Sequence, residues 1–315
     1  MQEAQSTQDE RGEMMAKELD VAVQDPGYGI APAGYRLPAE THVGRVRLQV
    51  SDLERSLAWY GRVLGFRVTE RRDGFAALAA HGDGAPLVEL HEKPGAAPSP
   101  MRGQLGLYHF AILLPDRPAL GRFVAHLGEA GERFGASDHL VSEATYLHDP
   151  DGLGIEVYAD RPREEWRAEE RELQMTTVAL NLRDVMAAAH GEPWTGMPAG
   201  TTIGHVHLHV GDLRPAADFY HAALGLDAVV WSYPGALFLS AGGYHHHLGL
   251  NTWAGPDAHP AGDADARLLE WELVVPSASD AQAAARSLVD AGFSADGDGR
   301  IPDPWGTMVR IIAAS

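Results

Sequence analysis

The chain has no cysteine among its 315 residues. Disulfides, thiolate metal sites and a cysteine nucleophile are therefore excluded, and a reducing compartment is permitted. No apolar run is long enough to span a bilayer. The opening "MQEAQSTQDERGEMM" is too polar for a secretory signal, so a soluble, cytoplasmic protein is expected. Positive charge is also scarce, with 25 Lys and Arg against 44 Asp and Glu and a net charge of −19. Phosphate backbones and anionic membranes attract basic surfaces, so neither nucleic acid nor a membrane is an expected partner. What is present is a globular composition, 45% hydrophobic and 22% charged, in a chain long enough for two domains.

The sequence repeats itself. "VGRVRLQVSDLERSLAWYGRVLGF" at 43–66 returns without a gap as "IGHVHLHVGDLRPAADFYHAALGL" at 203–226. Each copy begins with an alternating strand, continues through Asp52 or Asp212 as a helix-start residue, and carries apolar positions at helical spacing up to Gly65 or Gly225. Ser51 and Glu54 form a candidate capping box in the first copy. Three strand-like runs follow, so the unit is β-α-β-β-β. A shorter variant follows each copy, "LYHFAILLPDRPALGRFVAHLGEAG" at 107–131 and "LLEWELVVPSASDAQAAARSLVDAG" at 268–292, each leading to an Asp-Pro-x-Gly turn. Four modules result, over about 41–93, 105–160, 201–254 and 266–315. Residues 1–40 read as an N-terminal tail, 41–160 as the first repeat, 161–200 as a charged connector with one short helix, and 201–315 as the second repeat.

In "GHVHLHV" at 204–210 a histidine stands at every second position. Strand geometry sends His205, His207 and His209 to one face and Val206, Leu208 and Val210 to the other. Such an imidazole face raises the question of a metal and of its other ligands.

Four modules with helices of this kind resemble the vicinal oxygen chelate superfamily, which includes glyoxalases, antibiotic-binding resistance proteins and extradiol dioxygenases. The resemblance covers about 41–315 and implies an α+β fold of four β-α-β-β-β modules forming two open barrels, with a metal between the first and fourth strands of paired modules. At those positions the chain has Arg45 and Glu89 in module one, His109 and Glu156 in module two, His205 and Gly249 in module three, and Glu270 and Arg310 in module four. Pairing in chain order yields no metal set. Pairing module two with three joins His109, His205 and Glu156, while pairing one with four joins Arg45, Glu89, Glu270 and Arg310 in a charge-balanced group. Two imidazoles and a carboxylate suit Fe(II) and leave open positions for substrate and O2.

"HLVSEATYLHDPDGLGIE" at 139–156 resembles the extradiol dioxygenase signature, departing from it at Thr145, which stands where an aliphatic residue is usual. The resemblance implies Glu156 as an iron ligand and His139 and Tyr146 as groups beside the bound catecholate. "GGYHHHLGLNTW" at 242–253 resembles the strand carrying the acid/base histidine, best matched by His246, although strand parity favours His245 or His247. Together with "GLYHFAILLPDR" these stretches are most similar to the catechol 2,3-dioxygenase branch. The expected protein is an Fe(II)-dependent homo-oligomer that takes a catechol and O2 to a 2-hydroxymuconic semialdehyde. The alternatives are a glyoxalase-type isomerase or lyase and an aromatic-antibiotic-binding protein. His207 and His209 read as cleft lining, Trp231, Trp253 and Tyr244 as core, and Arg45 and Arg47 as members of an internal ion-pair network.

Overall fold

The computed structural model describes residues 27–296 and 299–314; most of the expected N-terminal tail, residues 1–26, lies outside them. Module one contains β1 (His42–Val50), α1 (Leu53–Trp59), β2 (Arg67–Arg72), β3 (Phe75–Ala79) and β4 (Val88–Glu92). Module two contains β5 (Gln104–Leu113), α2 (Arg117–Ala130), β6 (Gly135–Asp138), β7 (Ser142–His148) and β8 (Gly154–Asp160). The connector carries β9 (Ala168–Glu169), β10 (Glu172–Leu173), β11 (Val178–Ala179) and α3 (Leu182–Ala187). Module three has β12 (Thr202–His209), α4 (Leu213–Ala217), β13 (Asp227–Val230), β14 (Ala236–Ser240) and β15 (Leu248–Asn251), followed by the short β16 (His259–Pro260). Module four has β17 (Arg267–Val275), α5 (Ala278–Asp290), β18 (Arg300–Pro302) and β19 (Met308–Ala313).

Local chemistry starts each helix where the sequence suggests. The Asp52 carboxylate accepts from the Arg55 N–H, and that of Asp212 from the Arg214 N–H, satisfying amides that a first turn leaves unpaired. The capping box expected from Ser51 and Glu54 does not form. Ser51 instead donates to buried Asp151 from both its N–H and its hydroxyl, at 2.9 and 2.6 Å, and Glu54 pairs with Arg71. A buried carboxylate needing donors outbids an exposed helix end for the same hydroxyl.

The strands form two sheets. One runs β18-β19-β17-β1-β4-β3-β2, and the other runs β11-β6-β7-β8-β5-β12-β15-β14-β13 with β16 beside β5. The first is thus made by modules one and four, the second by modules two and three. Their central junctions are antiparallel, with Arg47 opposite Glu270 and His207 opposite His109. Val46, Leu48, Val206 and Leu208 point away from these polar rows and are buried in one apolar cluster shared by both sheets. Modules adjacent in the chain are tied through buried tyrosines. The Tyr60 hydroxyl donates to Asp149 at 3.2 Å and that of Tyr220 to Asp303 at 3.0 Å, each reaching the Asp-Pro turn of the next module.

Residues 27–40 lie against module three, where the Tyr28 hydroxyl donates to the Gly243 carbonyl and Arg36 pairs with Asp227. The connector contributes α3, whose Val185 carbonyl comes close enough to Gly121 of α2 to leave no room for a Cβ. It also contributes β11, which extends the larger sheet beside β6.

The concave face of the smaller sheet is filled by ions. Arg45 bonds Glu89 at 2.5 Å and also Glu272, while Arg47 bonds Glu89 at 2.7 Å and Glu270 at 2.9 Å. Glu270 also meets Arg300 at 2.5 Å and Arg310 at 3.8 Å. Glu270 is almost fully buried, so Glu270→Ala removes the anion that Arg47, Arg300 and Arg310 share. Removing one partner of such a set costs about 3–5 kcal/mol, and urea denaturation of this variant should show a loss of that order. A loss under about 1 kcal/mol, typical of exposed pairs, would mean that water replaces the network.

Candidate metal centre and its cavity

The larger sheet presents His109 from β5, Glu156 from β8 and His205 from β12 on one face. One ligand atom from each lies within 4.8 Å of the others, and all three side chains are buried. Glu156 Oε2 is 3.0 Å from His109 Nε2 and 3.3 Å from His205 Nε2. His109 Nε2 is buried and meets only the Glu156 carboxylate, outside hydrogen-bond geometry, a close contact of the kind that a cation between the two atoms resolves. Burial pushes His205 down to about 4, so its ring is neutral and its lone pair free to coordinate. Burial opposes ionisation of Glu156, but the two imidazoles against it hold the carboxyl well below its usual range. Two imidazoles and one carboxylate are a donor set that fits a divalent transition metal, Fe(II) among them.

The fourth position is closed sterically. A Cβ at Gly249 would lie 2.7 Å from the His207 ring, which occupies the space a ligand side chain would need. His207 is fixed there by the Asn251 carboxamide, 2.9 Å from its Nε2, and burial pushes its pKa well below the ordinary value.

Tyr146 stands directly opposite Glu156 in the β7–β8 pair, so both face the same cavity. Its hydroxyl is 2.5 Å from His139 Nε2, and His139 Nδ1 is 2.7 Å from the Thr176 carbonyl. A carbonyl only accepts, so His139 donates from Nδ1; a ring carrying that one proton accepts from the Tyr146 hydroxyl at Nε2. Burial, then the Glu156 charge, pushes the phenol well above its usual pKa, keeping it protonated. Thr145, the departure from the signature, points to the other face, where its hydroxyl donates to the Val157 carbonyl at 3.0 Å.

Of the three consecutive histidines, His246 is the one that lines the cavity. Its ring centroid is 4.0 Å from that of His205 and 5.0 Å from that of Phe238, and burial pushes its pKa well below the ordinary value. His245 turns away to Asp160 at 2.9 Å, and His247 to Ser240 and the Ala241 N–H. Strand parity misleads here because β15 begins only at Leu248; residues 241–247 are irregular, with Gly242 and Gly243 at positive φ.

The cavity, about 220 Å³, is walled chiefly by Tyr108, Tyr233, Phe238 and Trp253, with Met175 and Thr176 from the connector. Trp253, which its sequence context assigns to the core, is instead part of this wall, 5.9 Å from Tyr108 centroid to centroid. Tyr244 is buried behind His245. The connector residues are missed by sequence reasoning because their stretch has no periodicity; the only available signal was "MTT" interrupting a charged run.

The chain matches the Glyoxalase/Bleomycin resistance protein/Dioxygenase superfamily over residues 42–157 and 202–312. It belongs to that superfamily. Within it the enzyme class is extradiol dioxygenase. The protein is 46% identical over 271 residues, 84% of this chain and 94% of the relative, to a Catechol-2,3-dioxygenase of Bacillus subtilis. Two solved structures share the fold. A candidate dioxygenase of Bacillus subtilis has a TM-score of 0.60 at 15% identity, with 89% of this chain and 86% of that one covered. Glyoxalase I of Zea mays has a TM-score of 0.51 at 18% identity, with 86% and 92% covered. Among the described residues of this superfamily member, no helix is long and apolar enough to cross a membrane.

The buried histidines also set a pH dependence. His205 and His247 are held at about 4 and about 3, against about 6.5 in an unfolded chain. Between those values the unfolded state binds more protons, so the metal-free protein loses stability as pH falls from about 6.5 towards 4. In His247→Asn the carboxamide oxygen can take over the bond from the Ala241 N–H without titrating. Its unfolding free energy should fall less steeply than the parent's, by up to about 1.4 kcal/mol per pH unit. Parallel urea-derived stability curves for parent and variant over that range would refute it.

Proposed function

We propose that the chain is an Fe(II)-dependent extradiol dioxygenase that cleaves catechol or a substituted catechol with O2 to a 2-hydroxymuconic semialdehyde. The observation that carries this reading is the buried set of His109, Glu156 and His205 at the base of an aromatic-walled cavity. The name of the Bacillus subtilis relative supports the substrate. Bound Fe(II) would supply a common anchor for both catechol oxygens and O2, and a path for electron density between them.

The side chains around it do the rest. Tyr108, Phe238 and Trp253 offer ring faces and edges to an aromatic guest. No Lys or Arg is among the described cavity-lining residues, so a charged ring substituent would be desolvated without a partner; this favours an uncharged ring. His246, neutral through burial, takes the proton of the second catechol hydroxyl and returns it as the ring opens. The Tyr146 hydroxyl, held by His139, orients the ring oxygen.

Oxygen consumption by protein loaded anaerobically with Fe(II) tests this. Catechol and O2 should disappear in equal amounts without added reductant, since both oxygen atoms enter the product. Absence of O2 uptake would refute the reading. Turnover with Ni or Zn instead would point to a glyoxalase-type isomerase, and tight binding of an aromatic compound by metal-free protein to an antibiotic-binding role.

A further inference from the structure

His246 does not stand alone. Its Nδ1 is 2.7 Å from Nδ1 of His245, and His245 Nε2 is 2.9 Å from Asp160 Oδ1. The same carboxylate oxygen accepts from the Tyr244 hydroxyl at 3.2 Å, and the Tyr244 and Tyr158 hydroxyls are 2.6 Å apart. His245 and Tyr158 are fully buried. Room for the Tyr158 hydroxyl exists only because residue 204 is glycine, where a Cβ would come within 1.8 Å of it. Asp160, His245, Tyr158 and Tyr244 do not line the cavity, so direct contact with substrate does not account for them.

The donors and acceptors can be assigned one after another. A carboxylate oxygen accepts, so His245 donates from Nε2; a ring carrying that one proton has its lone pair on Nδ1. That lone pair takes the proton of His246 Nδ1. The remaining nitrogen of His246, Nε2, is then unprotonated, and it has no protein hydrogen bond among the described residues.

We infer that Asp160 and His245 are positioning residues that hold His246 in the Nδ1–H tautomer, with Nε2 bare and turned to the substrate. The other tautomer would present an N–H where the reaction requires a base. The catalytic consequence rests on the dioxygenase reading above; the tautomer itself does not. An aspartate with this duty toward a catalytic histidine can be worth up to about 10⁴-fold in turnover. Outer partners of metal-ligating histidines contribute about 10–100-fold, which sets the scale for a partner of a histidine packed against His205.

Two variants separate positioning from folding. His245→Leu removes the acceptor, whereas His245→Asn sets a carbonyl oxygen near the place of Nδ1. His245→Leu should retain its metal content and KM while kcat falls about 10–100-fold, and His245→Asn should recover most of that loss. Nitrogen-15 NMR of the histidine rings in metal-free protein should report His246 as Nδ1–H in the parent and His245→Asn, and as a mixture in His245→Leu. Parent His246 in the Nε2–H form would overturn the inference, as would unchanged kcat in His245→Leu or a kcat loss that His245→Asn fails to restore. A parent protein that consumes no O2 with catechol would remove the catalytic reading only, because the NMR result decides the tautomer without turnover.

Discussion

His109→Ala, His205→Ala and Glu156→Ala are each expected to lose bound iron while keeping the fold. Each residue supplies one bond of a three-residue set, and the ligand atoms come from three different strands, β5, β8 and β12, whose backbone pairing does not depend on these side chains. Loss of an outer partner of a metal ligand already weakens binding about 10–100-fold, so loss of the ligand should do more and turnover should vanish. Glu156→Ala has a further consequence, since it removes the only charge in the set that balances a dication. Iron content after desalting, read beside circular dichroism, checks all three. Full iron occupancy in any two of them would refute the ligand set.

His246→Phe is expected to leave iron content and catechol binding near normal and to reduce turnover by about 10²–10⁴-fold, the usual contribution of a general acid/base group. Phenylalanine fills the space between His205 and Phe238 that the imidazole occupies, so packing is retained while the proton acceptor is lost. Comparison with His247→Phe is informative, because His247 lies outside the cavity that His246 lines. If His247→Phe were inactive with its iron retained and His246→Phe active, the acid/base group would be His247, one of the two that strand parity favours.

How far the sequence reveals this arrangement depends on the element. The four modules are legible because their alternation and helical spacing persist through the duplication, and Asp52 and Asp212 cap their helices as their residue type suggests. The ligand inventory alone argues for joining module two to module three, since no other pairing collects two histidines and a glutamate; in the structure β5 and β12 are neighbours in one sheet. Gly249 reads in sequence as a missing ligand, but only the structure gives the reason, a His207 ring that fills its place. The choice among His245, His246 and His247 is not legible from periodicity, because period-2 reasoning has no meaning in the irregular segment before Leu248. The cavity wall from Met175 and Thr176 is invisible for a similar reason, its short strand β11 being too brief to leave a pattern. The partnership of Asp160 with His245 spans 85 residues and depends on sheet closure, which no local signal encodes.

His109, Glu156 and His205 bring three ligand atoms together between β5, β8 and β12, a place for one metal. Crystals grown anaerobically with Fe(II), measured on both sides of the iron absorption edge, test it most directly. A single anomalous peak should lie within bonding distance of His109 Nε2, His205 Nε2 and Glu156 Oε2; a peak among Arg45, Glu89 and Glu270, or one that omits any of the three ligands, would refute this centre.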